Sequence, residues 1–271
     1  MTGLKSSLAA GVVALVLGAC AGPDQAPAPL LREAARQNRI GEEAYLRGDH
    51  RHAEPALVEC VRLHLAAGDI PGAVLALVNE VLEERTTDPA KAAATAKRLS
   101  DLLPAAVQQS PDQAGNLTIA VGWINGSLAL DAGDAVAAAQ ASDVFVPARA
   151  SVADRWEARL ENLRADIALH QNRNAEAVTS AQSARRFAAK AKDVAEEARA
   201  CRLSGTAHRA LSQWNESRTD LLAAVHLEQE LGGGSRMAGD LKILADVSEH
   251  LGDSSSAALY RQRADAIGSA R

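Results

Sequence analysis

The sequence predicts an all-α protein built as a stack of about six helical hairpins. Composition is the first reason. Apolar residues make up 47% of the chain, yet aromatics only 3%, and alanine fills every stretch. Alanine is the best helix former, and small side chains let helices pack closely. Few β-branched runs alternate with polar residues, so nothing argues for a sheet. The second reason is a recurring phrase. Leu46-Arg47-Gly48-Asp49 precedes Ala53, Asp131-Ala132-Gly133-Asp134 precedes Ala138, and His250-Leu251-Gly252-Asp253 precedes Ala257. Weaker copies at Thr87, Asn172 and Ser212 precede Ala92, Ala177 and Ser217. From 48 the steps are 39, 46, 39, 40 and 40 residues. Self-similarity at such a period marks a solenoid of stacked units.

Each unit has a legible logic. Glycine or a turn residue ends one helix in a left-handed conformation. A nearby Asp, Asn or Thr can cap the next. The small residue five positions after the turn lets the two helices approach, and Gly41, Gly126, Ala165, Gly205 and Ala245 stand seven before it. The hairpins are read in order as 31–67, 70–103, 112–145, 149–190, 193–230 and 235–270. Pro71, Pro89, Pro111 and Pro147 fall near helix starts, where a missing amide hydrogen costs nothing. Pro104 is read as following a helix stop, and Pro55 as lying one turn inside its helix with a slight kink. Leu117 to Leu130 is the most apolar interior segment. It is broken by Asn125, too short to span a membrane, and read as the buried middle of the stack. Gly232-Gly233-Gly234 separates the last two hairpins.

The N-terminus reads differently. MTGLKSS carries one cation, and Leu8 to Leu17 form an apolar core fitting the h-region of a secretory signal. Leu17-Gly18-Ala19-Cys20 resembles the bacterial lipobox. The resemblance implies cleavage after residue 19, lipid on Cys20, and, with Ala21 following, the periplasmic face of an outer membrane. Residues 20–30, with three prolines among AGPDQAPAPL, read as a tether, and 31–271 as the repeat domain. Cys60 and Cys201 lie far apart within helical patterns and read as small packed side chains without redox partners.

The small-residue pairing at Ile40-Gly41, Tyr45, Gly48-Asp49, Ala53 and Leu57, and again at Leu244-Ala245, Gly252-Asp253 and Ala257, resembles the tetratricopeptide repeat. That resemblance implies a right-handed α-solenoid whose first helices line a concave groove. The chain departs from the family in its longer period, its scarce aromatics and its missing terminal proline. Groove positions carried over from the family are Trp123 in the third hairpin and Arg159, Asn162, Asp166 and His170 in the fourth. The fifth supplies Arg199, Arg202, Thr206 and Arg209, and the sixth Lys242, Asp246, Glu249 and His250. Such a groove would be cationic in the fifth hairpin and suited to an acidic or C-terminal peptide segment. The alternative reading of the same positions is a solvated helix face.

Chemistry is sparse. There is no phosphate loop, HExxH or GxSxG motif, and the triple glycine follows no strand. His50, His52 and His64 read as turn histidines without a metal, and paired glutamates such as Glu83-Glu84 as solvent-facing. A net charge of −5 and a pI near 5.8 argue against nucleic acid. No cofactor, no small-molecule substrate and no enzymatic activity are expected. The expected role is a protein-interaction adaptor in an envelope assembly of the barrel-assembly, pilus or secretion type. The rivals are a regulator of peptidoglycan synthases or hydrolases and, last, an enzyme or small-ligand binder using the groove near Trp123 and His170.

Overall fold

Glycine at a left-handed turn is where the repeat declares itself. In the computed structural model, which describes residues 29–143, 152–232 and 234–269, Gly48, Gly133 and Gly252 take φ values of 74°, 79° and 75°. Asn172 and Ser212 stand in for glycine at the same point, with φ of 57° and 59°. The turns between hairpins use the same device at Gly68, Lys192 and Gly232. The underlying unit is therefore one helix plus a short turn, and the period near 40 is two of them. Asp69, Asp88, Asp134 and Asp193 cap the following helices by accepting backbone N–H groups. Asp49 instead pairs with His52.

Twelve α-helices follow among the described residues: α1 (Pro29–Arg47), α2 (His50–Ala66), α3 (Ile70–Thr87), α4 (Pro89–Gln109), α5 (Ala114–Asp131), α6 (Ala135–Ser142), α7 (Asp154–His170), α8 (Asn174–Ala191), α9 (Val194–Ala210), α10 (Trp214–Glu230), α11 (Ser235–His250) and α12 (Ser254–Ser269). They pair in sequence order into six hairpins, and each hairpin packs on the next. No strand occurs among the described residues. Residues 1–28 lie outside them, so the signal segment, Cys20 and most of the 20–30 tether do too. Pro29 and Leu30 already belong to α1.

The second hairpin differs from the sequence reading at Thr87 and at Pro104. Thr87 is not a left-handed turn; α3 runs to it, and an extended Asp88 (φ −149°) starts α4. Pro104 does not follow a stop but sits inside α4, which continues to Gln109. Proline already has a helical φ, and the cost is one lost backbone bond. The extension delivers Gln109, whose side chain accepts from the Ile70 amide at 3.0 Å and donates to the Gly68 carbonyl at 2.8 Å. That latch on the α2–α3 turn accompanies the long step of 46. Pro55 lies within α2 as expected, and Pro147 falls outside the described residues.

Close helix contact explains the small residues. Ala53, Ala92, Ala138, Ala177, Ser217 and Ala257 are all fully buried. A Cβ on Gly205 would lie 2.7 Å from Leu221 Cγ, and one on Gly126 would lie 2.7 Å from Leu163 Cδ2. In the second hairpin Glu80 occupies this position, and Glu83 and Glu84 beside it are also buried rather than solvent-facing. Their neighbours include Lys91, 3.1 Å from Glu84, and His50, 2.9 Å from Glu83. The main core joins the first four hairpins through Leu77, Leu99, Leu117, Ile124 and Leu163, and α5 is its buried middle. Cys60 and Cys201 are buried free thiols, and burial pushes each up to about 11. No helix among the described residues is long and apolar enough to cross a membrane.

Candidate functional site

The odd-numbered helices form one wall. Besides its hairpin partner, α1 touches α3, α3 touches α5, α5 touches α7, α7 touches α9 and α9 touches α11. In a curved stack the elements on the inner side approach each other most closely, so the first helices line the concave face. Tyr45, Leu82, Trp123, Arg159, Arg199 and Arg236, one from each first helix, border a single cavity of about 360 Å³. A neighbouring hollow of about 500 Å³ shares Tyr45, Leu82 and Arg85 with it and is lined mainly by apolar side chains. Arg85 stands between the two, clamped to Asp131 by bonds of 2.7 and 2.9 Å. Together they make a groove with an apolar end and a charged end.

The structure brings Trp123, Arg159, Arg199 and Arg202 to this cavity. It does not leave all of them available. Trp123 is only 2% exposed and acts as a wall, meeting Trp156 edge-to-face at 6.3 Å. Asn162 is fully buried and donates to the Glu196 carbonyl and carboxylate, so it joins α7 to α9 and is not a groove residue. Asp166, His170, Thr206, Arg209, Lys242, Asp246 and His250 do not border the cavity. His170 contacts the Asp166 carbonyl on its own helix, and His250 stacks on Trp214 at 4.0 Å. Lys242 is exposed and Thr206 half-buried.

The cationic face expected of the fifth hairpin is neutralised by its neighbours. Arg199 donates to Asp166 at 3.2 Å, one hairpin back, and Arg209 to Asp246 at 2.8 Å, one hairpin forward. Arg202 is held by Asp240 at 2.5 and 3.0 Å and by Glu228 at 2.5 Å. Burial works against the Arg202 charge, but its bonds to Asp240 and Glu228 outweigh that and its pKa rises. These arginines are clasps between repeats. Asp166, Asp246 and Asp240 lie 33, 37 and 38 residues from their arginines, about one period away, whereas Glu228, 26 residues from Arg202, belongs to the same hairpin.

Other cavity residues escaped the sequence reading: Tyr45, Asn79, Arg85, Arg155 and Arg236. The first hairpins contribute the C-terminal halves of their first helices, and α7, α9 and α11 contribute their N-terminal turns. Lining positions drift along the helices from one hairpin to the next, so offsets fixed to the small residue find only the middle of the wall. Among the described residues no group of three His, Cys, Asp or Glu could hold a metal ion.

No protein-family profile matches the chain, and no curated protein matches it. Solved structures do. BtubC (BKLC) from P. vanneervenii superposes with a TM-score of 0.61 at 17% identity, covering 90% of this chain and 92% of that one. The Rap protein complexed with competence and sporulation factor superposes with a TM-score of 0.56 at 14% identity, covering 88% of this chain and 64% of that one. At such identities the likeness is one of fold, and the fold it shows is that of a helical-repeat protein.

Proposed function

We propose that the chain is a protein-docking scaffold, held to the periplasmic face of an outer membrane by lipid on Cys20, whose concave groove seats an extended segment of a partner in an envelope assembly. The observation that carries the reading is the pair of adjoining hollows, bordered by every first helix in turn. A continuous wall with one apolar and one charged end suits a chain segment lying along it. The Rap structure is of a complex with competence and sporulation factor, and that precedent supports a binding role for a protein of this fold. The lipobox-like Leu17-Gly18-Ala19-Cys20 supports the anchor, since acylation of a single cysteine supplies the several chains that stable attachment needs.

Ala195, half-buried on the cavity wall, is the place to test this. Native purification from cells is expected to recover the same envelope protein with the wild-type chain and to lose it with Ala195→Trp, which fills the cavity. The helical content and melting temperature of the variant should match the wild type. Recovery unchanged in Ala195→Trp would contradict docking in the groove. Release of a Cys20→Ser chain from the membrane fraction is expected alongside.

A further inference from the structure

Three arginines at the charged end, Arg155, Arg159 and Arg236, donate no hydrogen bond to any described residue. Their nearest acids lie at 3.3, 3.4 and 3.6 Å. The Arg155 and Arg236 side chains are 58% and 43% exposed, open to solvent. Arg159 is different, because its side chain is only 16% exposed. Its guanidinium lies over both the Trp123 and the Trp156 rings, 4.9 and 4.7 Å from their centroids. Two indoles meeting edge-to-face form a corner that fixes the cation and strips water from it. Its Nε is buried without a hydrogen-bond partner, and so is Trp123 Nε1 beside it. Native proteins seldom leave buried donors orphaned, because such a group gives up its hydration with no bond to replace it. Both groups are donors on residues that border the same cavity; Trp123 Nε1 has no acceptor, and Arg159 Nε faces Glu196 at 3.4 Å without making a hydrogen bond.

We infer that Arg159, braced by Trp123 and Trp156, is the seat for the carboxylate of an acidic side chain on the docked segment, entering from the charged end of the groove. The inference rests on the docking reading and adds the chemistry of the partner. A held guanidinium is a planar fork that matches a carboxylate edge to edge, and its fixed orientation reduces the entropy lost on binding. Glu196, at 3.4 Å and without a hydrogen bond from Arg159, offsets the guanidinium charge. The other Glu196 carboxylate oxygen accepts from the Asn162 amide at 2.9 Å, which holds the carboxylate in place. The acidic-segment expectation therefore moves from the fifth hairpin, where the arginines are clasped, to the fourth.

Two of the three tryptophans stand at this seat, so emission in a Trp214→Phe background reads it directly. The probes are a short blocked peptide ending in two glutamates, its two-glutamine counterpart, and sodium sulfate. The glutamate peptide is expected to shift the emission saturably and to bind at least about tenfold tighter than the glutamine peptide, the range for one charged hydrogen-bonding group. Arg159→Gln should erase that preference, and Arg159→Lys should lose most of it, because an ammonium lacks the fork. Both variants are checked by thermal melt, and the comparison between peptides on the unmutated site needs no variant at all. Preference surviving Arg159→Gln overturns the seat. So does sulfate binding as tightly as the glutamate peptide, or silence from both peptides at millimolar concentration. Equal binding of the two peptides also overturns it while leaving groove docking intact. Glutamate-selective binding combined with unchanged partner recovery in Ala195→Trp would sustain the seat and sink the scaffold reading instead.

Discussion

Gly205→Ala isolates the close approach on which the hairpins depend. The added Cβ would lie 2.7 Å from Leu221 Cγ, 3.1 Å from its Cδ2 and 3.2 Å from the Ser217 carbonyl. Leu221 is fully buried, and Ser217 Oγ already donates to the Gly205 carbonyl at 2.7 Å, so neither neighbour has free room to retreat. Overpacking of this kind costs about 1–3 kcal/mol. Alanine returns about 1 kcal/mol of helix propensity over glycine, leaving a net loss of up to about 2 kcal/mol. Gly239→Ala is the matched control, because it lies within α11 and a Cβ there meets nothing within 4 Å. It gains the propensity alone, about 1 kcal/mol. The difference between the two variants is the packing term. At about 2–4 °C per kcal/mol for a chain of this size, their melting temperatures should separate by roughly 2–12 °C, with Gly239→Ala above wild type. Thermal unfolding followed by circular dichroism measures both. Equal stabilisation by the two substitutions would refute the α9–α10 contact and the hairpin geometry with it.

The clasp at Arg202 predicts a larger effect. Arg202→Met strands Asp240 and Glu228, which are 0% and 2% exposed, and should cost about 3–5 kcal/mol in urea unfolding. Adding Asp240→Leu to that variant should recover part of the loss, and a single-variant loss below about 1 kcal/mol would contradict the clasp. Glu80 predicts a pH dependence. Burial raises its pKa, Glu84 adds to the rise, and Arg98 and Lys91 oppose it. The folded chain thus holds this proton longer than the unfolded one. The group's contribution is full below the ordinary carboxylate value and is lost as pH rises through the folded value. Glu80→Gln should therefore stabilise near neutral pH and lose that advantage in acid; a gain confined to acid would reverse the sign. The two internal thiols offer a fourth check. Buried, and with pKa pushed up to about 11, Cys60 and Cys201 should resist alkylation in the folded chain and react on unfolding, whereas reaction at the rate of a free thiol would place them elsewhere.

The repeat was legible because its marks are local. A left-handed turn residue and a buried small residue five positions on are demanded by the backbone and by helix proximity, whatever the rest of the chain does. Asn172 and Ser212 could be placed on the glycine position for that reason. The turns at Gly68, Lys192 and Gly232 were harder to see as part of the pattern. They join hairpins, and the close small-residue contact marks the joint within one. Thr87 failed because an extended Asp88 can turn the chain without a left-handed residue. The groove was less legible than the fold. Whether an arginine is free or clasped depends on acids about one period away, and the short-range view of a helix face leaves those out. Arg202 and Asp240, 38 residues apart, show the signal that would have exposed it. Arg159 stood among the expected groove residues, but its brace did not: Trp123 and Trp156 lie on different hairpins and meet only in the fold.

Placing a photoreactive side chain in intact cells tests the central claim most directly. Positions bordering the cavity, Leu82 on α3, Ala195 on α9 and Arg236 on α11, are compared with the exposed Val58 on α2, Val136 on α6 and Leu259 on α12. All three cavity positions should crosslink to one and the same partner segment, in an order that runs along that segment, and the second-helix positions should not. Adducts arising from the second helices while the cavity positions stay silent would contradict docking on the concave wall.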